Sequence, residues 1–157
     1  MADSEKQRYE LHVFHRFLEI VQIDAHASSI RQLAPPNPDI ICMVSGAQCG
    51  FELTAITDPV IETKFGTGRF HYSNYRVEIS DAVECIKRKE HKQYSIPQVE
   101  LVVHEGATPI DDLWQWDQSQ LDAAIQAAID KSSFARVWLV DISNRKARAY
   151  IPTKISA

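Results

Sequence analysis

The sequence contains little cysteine and little glycine, and it has no long apolar segment. None of its hydrophobic runs approaches the ~18 residues that a membrane-spanning helix needs, so no membrane partner is expected. Residues 1–6 lack the basic-then-apolar order of a signal peptide. The three cysteines, which are Cys42, Cys49 and Cys85, fit neither a disulfide framework nor a metal-binding spacing. We therefore expect reduced thiols and a cytoplasmic protein.

Several catalytic motifs are missing as well. Gly66 and Gly68 lack the strand-and-helix context of a phosphate-binding loop. Ser45 stands outside any Gly-x-Ser-x-Gly motif, which argues against a serine hydrolase. The six histidines form no His-x-x-x-His pair, so ordinary core or surface roles are favoured over zinc ligation.

An excess of positive charge is also missing. The chain has 17 Lys and Arg residues against 21 Asp and Glu residues, which gives a formal net charge of -4. This balance argues against tight, non-specific binding to DNA phosphates. One local exception is the segment 86–92, which concentrates the basic residues Lys87, Arg88, Lys89 and Lys92. A local basic patch therefore remains available for phosphate contacts.

The sequence does contain alternating helix and strand patterns, within a single expected domain that spans residues 1–157. Helical periodicity predicts helices over 5–21, 81–94 and 121–131, with Ser4, Ser80 and Ser119 as their caps. Apolar runs predict strands over 40–44, 51–57, 99–104, 136–143 and 147–151. A turn is expected over 45–50, and loops over 58–77 and 105–118. The order α-β-β-α-β-α-β-β predicts an α/β fold, in which helices flank a mixed central sheet.

The segment 35–57 carries the clearest functional signal. A Pro-Asp step opens one apolar run, a glycine-containing turn follows, and a second run carries Glu52 between Phe51 and Leu53. Read as a hairpin, this pattern brings Asp39 and Glu52 together. Two carboxylates and the Leu53 carbonyl would suit Mg²⁺, which prefers oxygen ligands. The alternative is that Asp39 is a turn residue and Glu52 an exposed residue of an edge strand.

Two further charged residues lie on the apolar faces of predicted helices. Glu10 falls within the apolar stripe of the first helix, and Lys89 continues the apolar face of the second. A buried charge needs a partner. The alternatives are that Lys89 extends its ammonium to water and that Glu10 is stabilised electrostatically near the start of its helix. Together with Asp39 and Glu52, these residues would form the carboxylate and lysine set of metal-assisted phosphodiester cleavage.

This set resembles the PD-(D/E)XK nuclease superfamily, which has the restriction-endonuclease-like fold. The resemblance rests on the helix glutamate Glu10, the Pro-Asp step at Asp39, and Glu52-x-Thr54 in the second strand, and it is clearest over residues 9–94. The strand, helix and strand that follow fit the family's α-β-β-β-α-β core. Thr54 stands where the family has lysine. Some members resemble this chain in having threonine there and a lysine in the next helix, as at Lys89.

The resemblance implies a role for each residue of the set. Asp39, Glu52 and the Leu53 carbonyl would bind Mg²⁺ or Mn²⁺, with Glu10 as a neighbouring catalytic carboxylate. Lys89 would orient or deprotonate the attacking water, and helical phase favours it over Lys87. Thr54 would support the site through a hydrogen bond. The implied substrate-binding residues are Lys87, Arg88 and Lys92.

The resulting expectation is a metal-dependent nuclease that hydrolyses DNA phosphodiester bonds, with RNA as an alternative substrate. The rival is a catalytically inactive module of the same fold that binds a partner; the acidic charge and Thr54 favour it. A homodimer is a further expectation, with Trp114 and Trp116 as candidate subunit contacts. The metal site requires Asp39 and Glu52 to share a cleft within ~8 Å, because carboxylate oxygens lie ~2.0–2.6 Å from such ions.

Overall fold

The computed structural model describes residues 2–56, 76–106 and 109–153, with no account of the side chains of residues 2–4. The helices found there are α1 (Ala2–Val21), α2 (Ile79–Lys87) and α3 (Gln118–Asp130). The strands are β1 (Arg31–Gln32), β2 (Ile40–Val44), β3 (Ala47–Ile56), β4 (Val99–Glu105), β5 (Arg136–Asp141) and β6 (Lys146–Tyr150). Short 3₁₀ turns occur at Ala27–Ser29 and Asp111–Trp114.

The strands form one six-stranded sheet in the order β1-β2-β3-β4-β5-β6. Strand β3 is antiparallel to β2 and parallel to β4, and β5 is parallel to β4. The outer strands β1 and β6 are both antiparallel to their neighbours. The pairing of β2 with β3 begins at Ile40 opposite Phe51, so the end of β3 extends beyond the start of β2. This divergence positions the site described below.

Helices cover both faces of the sheet. On one face, Phe14 and Phe17 of α1 pack against Phe51 and Trp138. On the other face, α2 and α3 bury a second apolar cluster that includes Ile86 and residues from β4 and β5. The predicted α/β architecture, a mixed sheet flanked by helices, is confirmed. Within the described residues, no helix is long and apolar enough to cross a membrane.

The predicted turn over 45–50 is too long. The structure closes the hairpin with the two residues Ser45 and Gly46, whose φ angles are 51° and 80°. Positive φ at both central residues produces a tight turn that matches the twist of antiparallel strands. Strand β3 therefore begins at Ala47 rather than at residue 51, and Cys49 lies opposite Cys42.

The predicted helix caps are wrong. Ser4 lies within α1, which begins at Ala2. Glu78, not Ser80, caps α2: its side chain accepts from the Asp81 amide, and its own amide donates to Asp81 Oδ2 (2.7 Å). Asp117, not Ser119, caps α3 through bonds from the amides of residues 119 and 120. In both helices a carboxylate two residues upstream of the predicted serine accepts from the first amides instead.

Other boundaries also differ. Helix α2 ends at Lys87 instead of residue 94, because i→i+3 hydrogen bonds tighten the chain there, as from the Lys89 amide to Ile86 O (3.1 Å). The short strand β1 was not predicted, and β5 ends at Asp141. The predicted loop over 58–77 lies outside the described residues as far as residue 75.

The candidate subunit contacts, Trp114 and Trp116, use their indole groups within the chain. The Nε1 of Trp114 donates to Asp141 Oδ2 (2.9 Å), and that of Trp116 donates to the Val77 carbonyl (2.8 Å). Both rings pack against the apolar cluster beneath α2 and α3. A homodimer through these rings stays a prediction.

Candidate active site

A cleft of about 390 Å³ opens where β2 and β3 diverge, and we call it the charged cleft. It lies at the end of β3, beyond the last pair that β3 makes with β2. Its walls come from the N-terminal half of α1, the start of β2, the end of β3, the turn after α2 and the end of β4. The lining residues are Lys6, Tyr9, Glu10, Pro35, Asp39, Leu53, Thr54, Ala55, Arg88, Lys89, Lys92 and His104.

Asp39 lines the charged cleft, and Glu52 contacts it from behind the lining residues. The Asp39 amide donates to Glu52 Oε1 (3.2 Å), and the Leu53 amide donates to Asp39 Oδ2 (2.9 Å). These two bonds replace strand pairing at the point where β2 leaves β3. Because the N–H and C=O of a strand residue point to the same edge, the Leu53 carbonyl is directed toward Asp39 as well. The expected proximity of the two carboxylates is therefore found.

Close backbone packing fixes the approach of Asp39 to β3. A Cβ atom built on Gly50 would lie 2.7 Å from Pro38 Cγ and 2.7 Å from Ile96 Cδ1. Glycine at position 50 thus lets Pro38 pack directly on the strand. The next residue, Asp39, is then held within reach of the Leu53 amide. The Pro-Asp step is consequently a rigid entry to the site rather than a loose turn.

Two lysines converge on the same oxygen of Glu52. Lys89 Nζ lies 3.0 Å from Glu52 Oε2, and Lys92 Nζ lies 2.9 Å from it. Both lysines follow the end of α2: Lys89 stands in the turn over 88–91, and Lys92 comes directly after that turn. The sequence argument preferred Lys89 to Lys87 because of its position on a helix, but α2 ends at Lys87, so that reason does not apply to Lys89. Lys89 nevertheless reaches Glu52, and Lys87 is exposed and lies outside the lining of the charged cleft.

The carboxylates of the site are electrostatically unequal. Burial, and then the charges of Asp39 and Glu52, raise the pKa of Glu10 above its ordinary value. Burial and the neighbouring Glu52 raise the pKa of Asp39, although the Leu53 amide acts against this shift. Burial alone would raise the pKa of Glu52 too, but the ammonium groups of Lys89 and Lys92 lower it. Negative charge is thus compensated at Glu52 and undercompensated at Asp39 and Glu10.

The donor set has the chemistry that a hard divalent cation prefers. Asp39, Glu52 and the Leu53 carbonyl all supply oxygen, as Mg²⁺ and Mn²⁺ require. The raised pKa of Asp39 indicates that a nearby cation would be electrostatically favourable there. Over the described ranges, no three His, Cys, Asp or Glu side chains form a metal-binding group. The residues fit a cation through two carboxylates and one carbonyl, provided that Glu52 gives up a lysine contact.

Thr54 and Arg88 both contact a third side chain, Cys85. The Arg88 Nη2 atom lies 3.4 Å from Cys85 Sγ. Burial raises the pKa of the Cys85 thiol, and a hydrogen bond from Thr54 acts against that shift. Thr54 therefore supports the wall of the cleft from β3 and joins it to α2. Arg88 remains exposed and lines the cleft, where it can reach a phosphate.

Sequence reasoning missed four residues that surround the site. Lys6 lies one helical turn before Glu10, and this spacing was a readable signal. Tyr9 and His104 line the cleft with their ring centroids 6.2 Å apart. Tyr94 has a buried hydroxyl close to Glu52, and burial and then the charge of Glu52 raise its pKa.

His104 was read as an ordinary core or surface residue, and the structure buries it at the wall of the charged cleft. Its Nδ1 atom donates to the carbonyl of Glu105 (2.7 Å), and burial lowers its pKa. The ring is therefore held neutral. No sequence signal marked this residue, because its role depends on β4 lying beside the end of β3.

In comparisons with known proteins, no family model and no curated protein matches the chain.

Proposed function

We propose that this protein is a metal-dependent nuclease of restriction-endonuclease-like fold that hydrolyses DNA phosphodiester bonds. One observation carries the proposal. Glu10, Asp39 and Lys89 line one cleft from three separate segments, and Glu52, from a fourth, lies behind them and is bonded to the Asp39 amide and the Lys89 ammonium. Apolar residues could fill the same space without the cost of burying charge, which favours a functional reason for this set.

The order of the elements supports the proposed fold. The succession α1, β1, β2, β3, α2 and β4 follows the α-β-β-β-α-β order of the restriction-endonuclease-like core. The short strand β1, which the sequence did not reveal, supplies the first strand of that order. Asp39 then precedes the second strand, and Glu52 stands in the third. The resemblance drawn from the sequence thus gains a matching arrangement of elements.

Each residue has a role that its geometry allows. When bound at Asp39, Glu52 and Leu53, Mg²⁺ or Mn²⁺ would polarise the scissile phosphate and acidify a water molecule. Lys89, which is an ammonium paired with Glu52, would orient the attacking water and would offset the charge that develops on the phosphorus oxygens. The water oxygen would form a bond to phosphorus as the bond to the leaving sugar oxygen breaks. The attacking water would release its proton to bulk solvent, and the leaving sugar oxygen would take up a proton from solvent.

Positive groups at the rim can hold the substrate. Lys6 and Arg88 line the cleft from different elements, Lys6 from α1 and Arg88 from the turn after α2. Their charges can contact phosphates on either side of the scissile bond. Lys87 lies outside the lining and would contribute only to longer-range attraction.

The test is cleavage of plasmid DNA, single-stranded DNA and RNA with Mg²⁺ or Mn²⁺. We expect metal-dependent cutting by the wild type, and a loss of about 10²–10³-fold in Asp39→Ala and Lys89→Ala. Lys87→Ala is the matched control, because it removes the same charge near the end of α2 but outside the cleft. Cutting that survives in both site variants would contradict the proposal.

The second candidate is a non-catalytic binding module of the same fold. The two lysines that neutralise Glu52 favour it, because a carboxylate compensated in this way needs no metal ion. Thr54 in place of the strand lysine favours it too. An absence of cutting on all three nucleic acids, together with an absence of metal binding in calorimetry, would select this candidate.

A further inference from the structure

Both oxygens of Glu52 already accept hydrogen bonds in this structure. Its Oε1 atom accepts from the Asp39 amide, and its Oε2 atom accepts from both Lys89 and Lys92. The Glu52 side chain is only 2% exposed, and the two lysines line the cleft whereas Glu52 does not. A cation that approaches Oε2 from the cleft therefore meets the two ammonium groups first and has to displace at least one of them.

The two lysines differ in how easily they can leave. The Lys89 side chain is 21% exposed, whereas that of Lys92 is 49% exposed. Lys92 also stands three residues farther from the end of α2, with its side chain half in solvent. An ammonium group that moves from a salt bridge into water loses less when it is already partly hydrated. Lys92 is thus the lysine that can be exchanged.

We propose that the Lys92 ammonium and a divalent cation compete for Glu52, so that Lys92 sets the metal affinity of the charged cleft. This inference rests on the proposed metal site and adds a residue that governs it. Without metal, Lys92 keeps the buried carboxylate paired. With metal, Lys92 moves off Glu52 and remains at the cleft, where its charge can contact a substrate phosphate. Metal loading and substrate binding would then be linked through one side chain.

The charge balance of the site agrees with such an exchange. The Lys92 ammonium supplies one positive charge at Glu52 Oε2, beside the ammonium of Lys89. A divalent ion would supply twice the charge of Lys92. From the cleft it would also reach Asp39, which lines the cleft and whose amide is bonded to Glu52. One ion would thus serve both carboxylates, whereas Lys92 is bonded to Glu52.

Calorimetric titration of Mn²⁺ into the apo protein tests the competition without relying on activity. We expect Lys92→Met to bind Mn²⁺ about tenfold more tightly than the wild type, because the ion no longer has to displace the Lys92 ammonium from Glu52. Lys87→Met removes the same charge from the same region and should stay within about twofold. Lys92→Arg keeps a cation at Glu52 and should bind no more tightly than the wild type.

A second readout uses thermal unfolding. Without metal, Lys92→Met should melt at a lower temperature than the wild type, and saturating Mn²⁺ should raise its melting temperature by more. Equal Mn²⁺ affinities of Lys92→Met and Lys87→Met would overturn the exchange while leaving the metal site in place. An absence of Mn²⁺ binding in every variant, the wild type included, would overturn the proposed metal site and this inference together.

Discussion

Glu52 and Glu100 are buried carboxylates on neighbouring central strands, but the protein compensates them in different ways. Glu52 is 1% exposed and Glu100 is 5% exposed. Glu100 accepts a hydrogen bond from the neutral indole of Trp138 (2.7 Å) and lies near the buried thiols of Cys42 and Cys49. Glu52, in contrast, is paired with two ammonium groups beside a cleft. Burial of an acidic residue therefore does not by itself mark a functional site.

The surroundings of the two carboxylates differ in their access to water and substrate. Glu100 contributes to the α1 side of the sheet, where burial raises the pKa of Cys42 to about 11 and keeps that thiol unreactive. Glu52 lies on the opposite face, where two partly exposed lysines separate it from the cleft. A neutral donor packed in the core has no access to the cleft, whereas the lysines do. This difference supports the proposed catalytic role of Glu52 and a structural role for Glu100.

The largest expected effect is on DNA cleavage. The Glu52→Gln variant should cleave DNA about 10³-fold more slowly than the wild type. The change removes a proposed metal ligand and, at the same time, the carboxylate that pairs with Lys89. Glu100→Gln should stay within about threefold, since Gln keeps an oxygen that can accept from Trp138. Initial rates of plasmid nicking measure both. Similar losses in the two variants would mean that the contrast between the carboxylates is not functional.

The next effect is on stability without metal. Glu52→Gln leaves two ammonium groups without their partner and should lower the free energy of unfolding by about 2 kcal/mol at neutral pH. This loss is smaller than the ~3–5 kcal/mol expected for breaking a fully buried ion pair, because both ammonium groups line the cleft and are partly hydrated. Urea unfolding of wild type and variant measures the difference.

Acid titration checks the sign of that stability difference. Because the pKa of Glu52 is lowered in the folded protein, ionised Glu52 stabilises the fold at pH values above its ordinary pKa of 4.5. This stabilisation is lost as the pH falls through the lowered pKa. The difference between wild type and Glu52→Gln should therefore shrink in that acidic range. A difference that grows on acidification would contradict the assignment of the lysines as its stabilising partners.

A smaller effect is expected at the structural carboxylate. Glu100→Gln should cost about 1 kcal/mol, the difference between a charged and a neutral acceptor for the Trp138 indole. Because the indole carries no net charge, this cost should barely change between 0.1 and about 0.5 M salt, whereas the cost of Glu52→Gln should fall as its ion pairs are screened. Urea unfolding at two salt concentrations separates the cases. Equal salt sensitivity would remove the distinction between the two kinds of compensation.

Much of the arrangement around Glu52 was predictable from the sequence. The apolar run after Asp39 and the run containing Glu52 predict two neighbouring strands, and the helix pattern places Glu10 on a buried stripe. Local periodicity carries this information because residues two apart in a strand, and three or four apart in a helix, lie on the same face. The general α/β architecture followed from the order of these elements.

The partners of Glu52 were not predictable in the same way. The bond from the Leu53 amide to Asp39 exists because β2 diverges from β3, which depends on the register set by Ser45 and Gly46. The contact of Lys92 with Glu52 spans 40 residues and begins after an unforeseen end of α2. Long-range contacts of this kind depend on tertiary packing, which local patterns do not encode. Helical phase pointed to Lys89 and gave no reason to pair Lys92 with Glu52.

The smallest expected effect has the opposite sign and concerns Asp39. Burial and the adjacent Glu52 raise the pKa of Asp39, so its charged form is disfavoured in the folded protein. Asp39→Asn keeps an oxygen for the Leu53 amide, removes the repulsion, and should stabilise the protein by about 0.5–1 kcal/mol at pH 7. A protonated Asp39 stabilises the fold fully below its ordinary pKa of 3.8, and that contribution is lost as the pH rises through the raised value.

The advantage of the Asn variant should therefore be absent at low pH and should appear as the pH rises, in contrast to the behaviour expected of Glu52→Gln. Thermal unfolding of wild type and Asp39→Asn from acidic to neutral pH measures this trend. Saturating Mn²⁺ should reverse the order at neutral pH, because the cation stabilises the carboxylate and not the amide. If Asp39→Asn were less stable than the wild type at every pH, the Asp39 carboxylate would stabilise the apo fold, and the expected repulsion would be contradicted. A stabilising change at Asp39 beside a destabilising one at Glu52 would support the proposed cation site, because the apo protein then holds a carboxylate that only a further cation compensates.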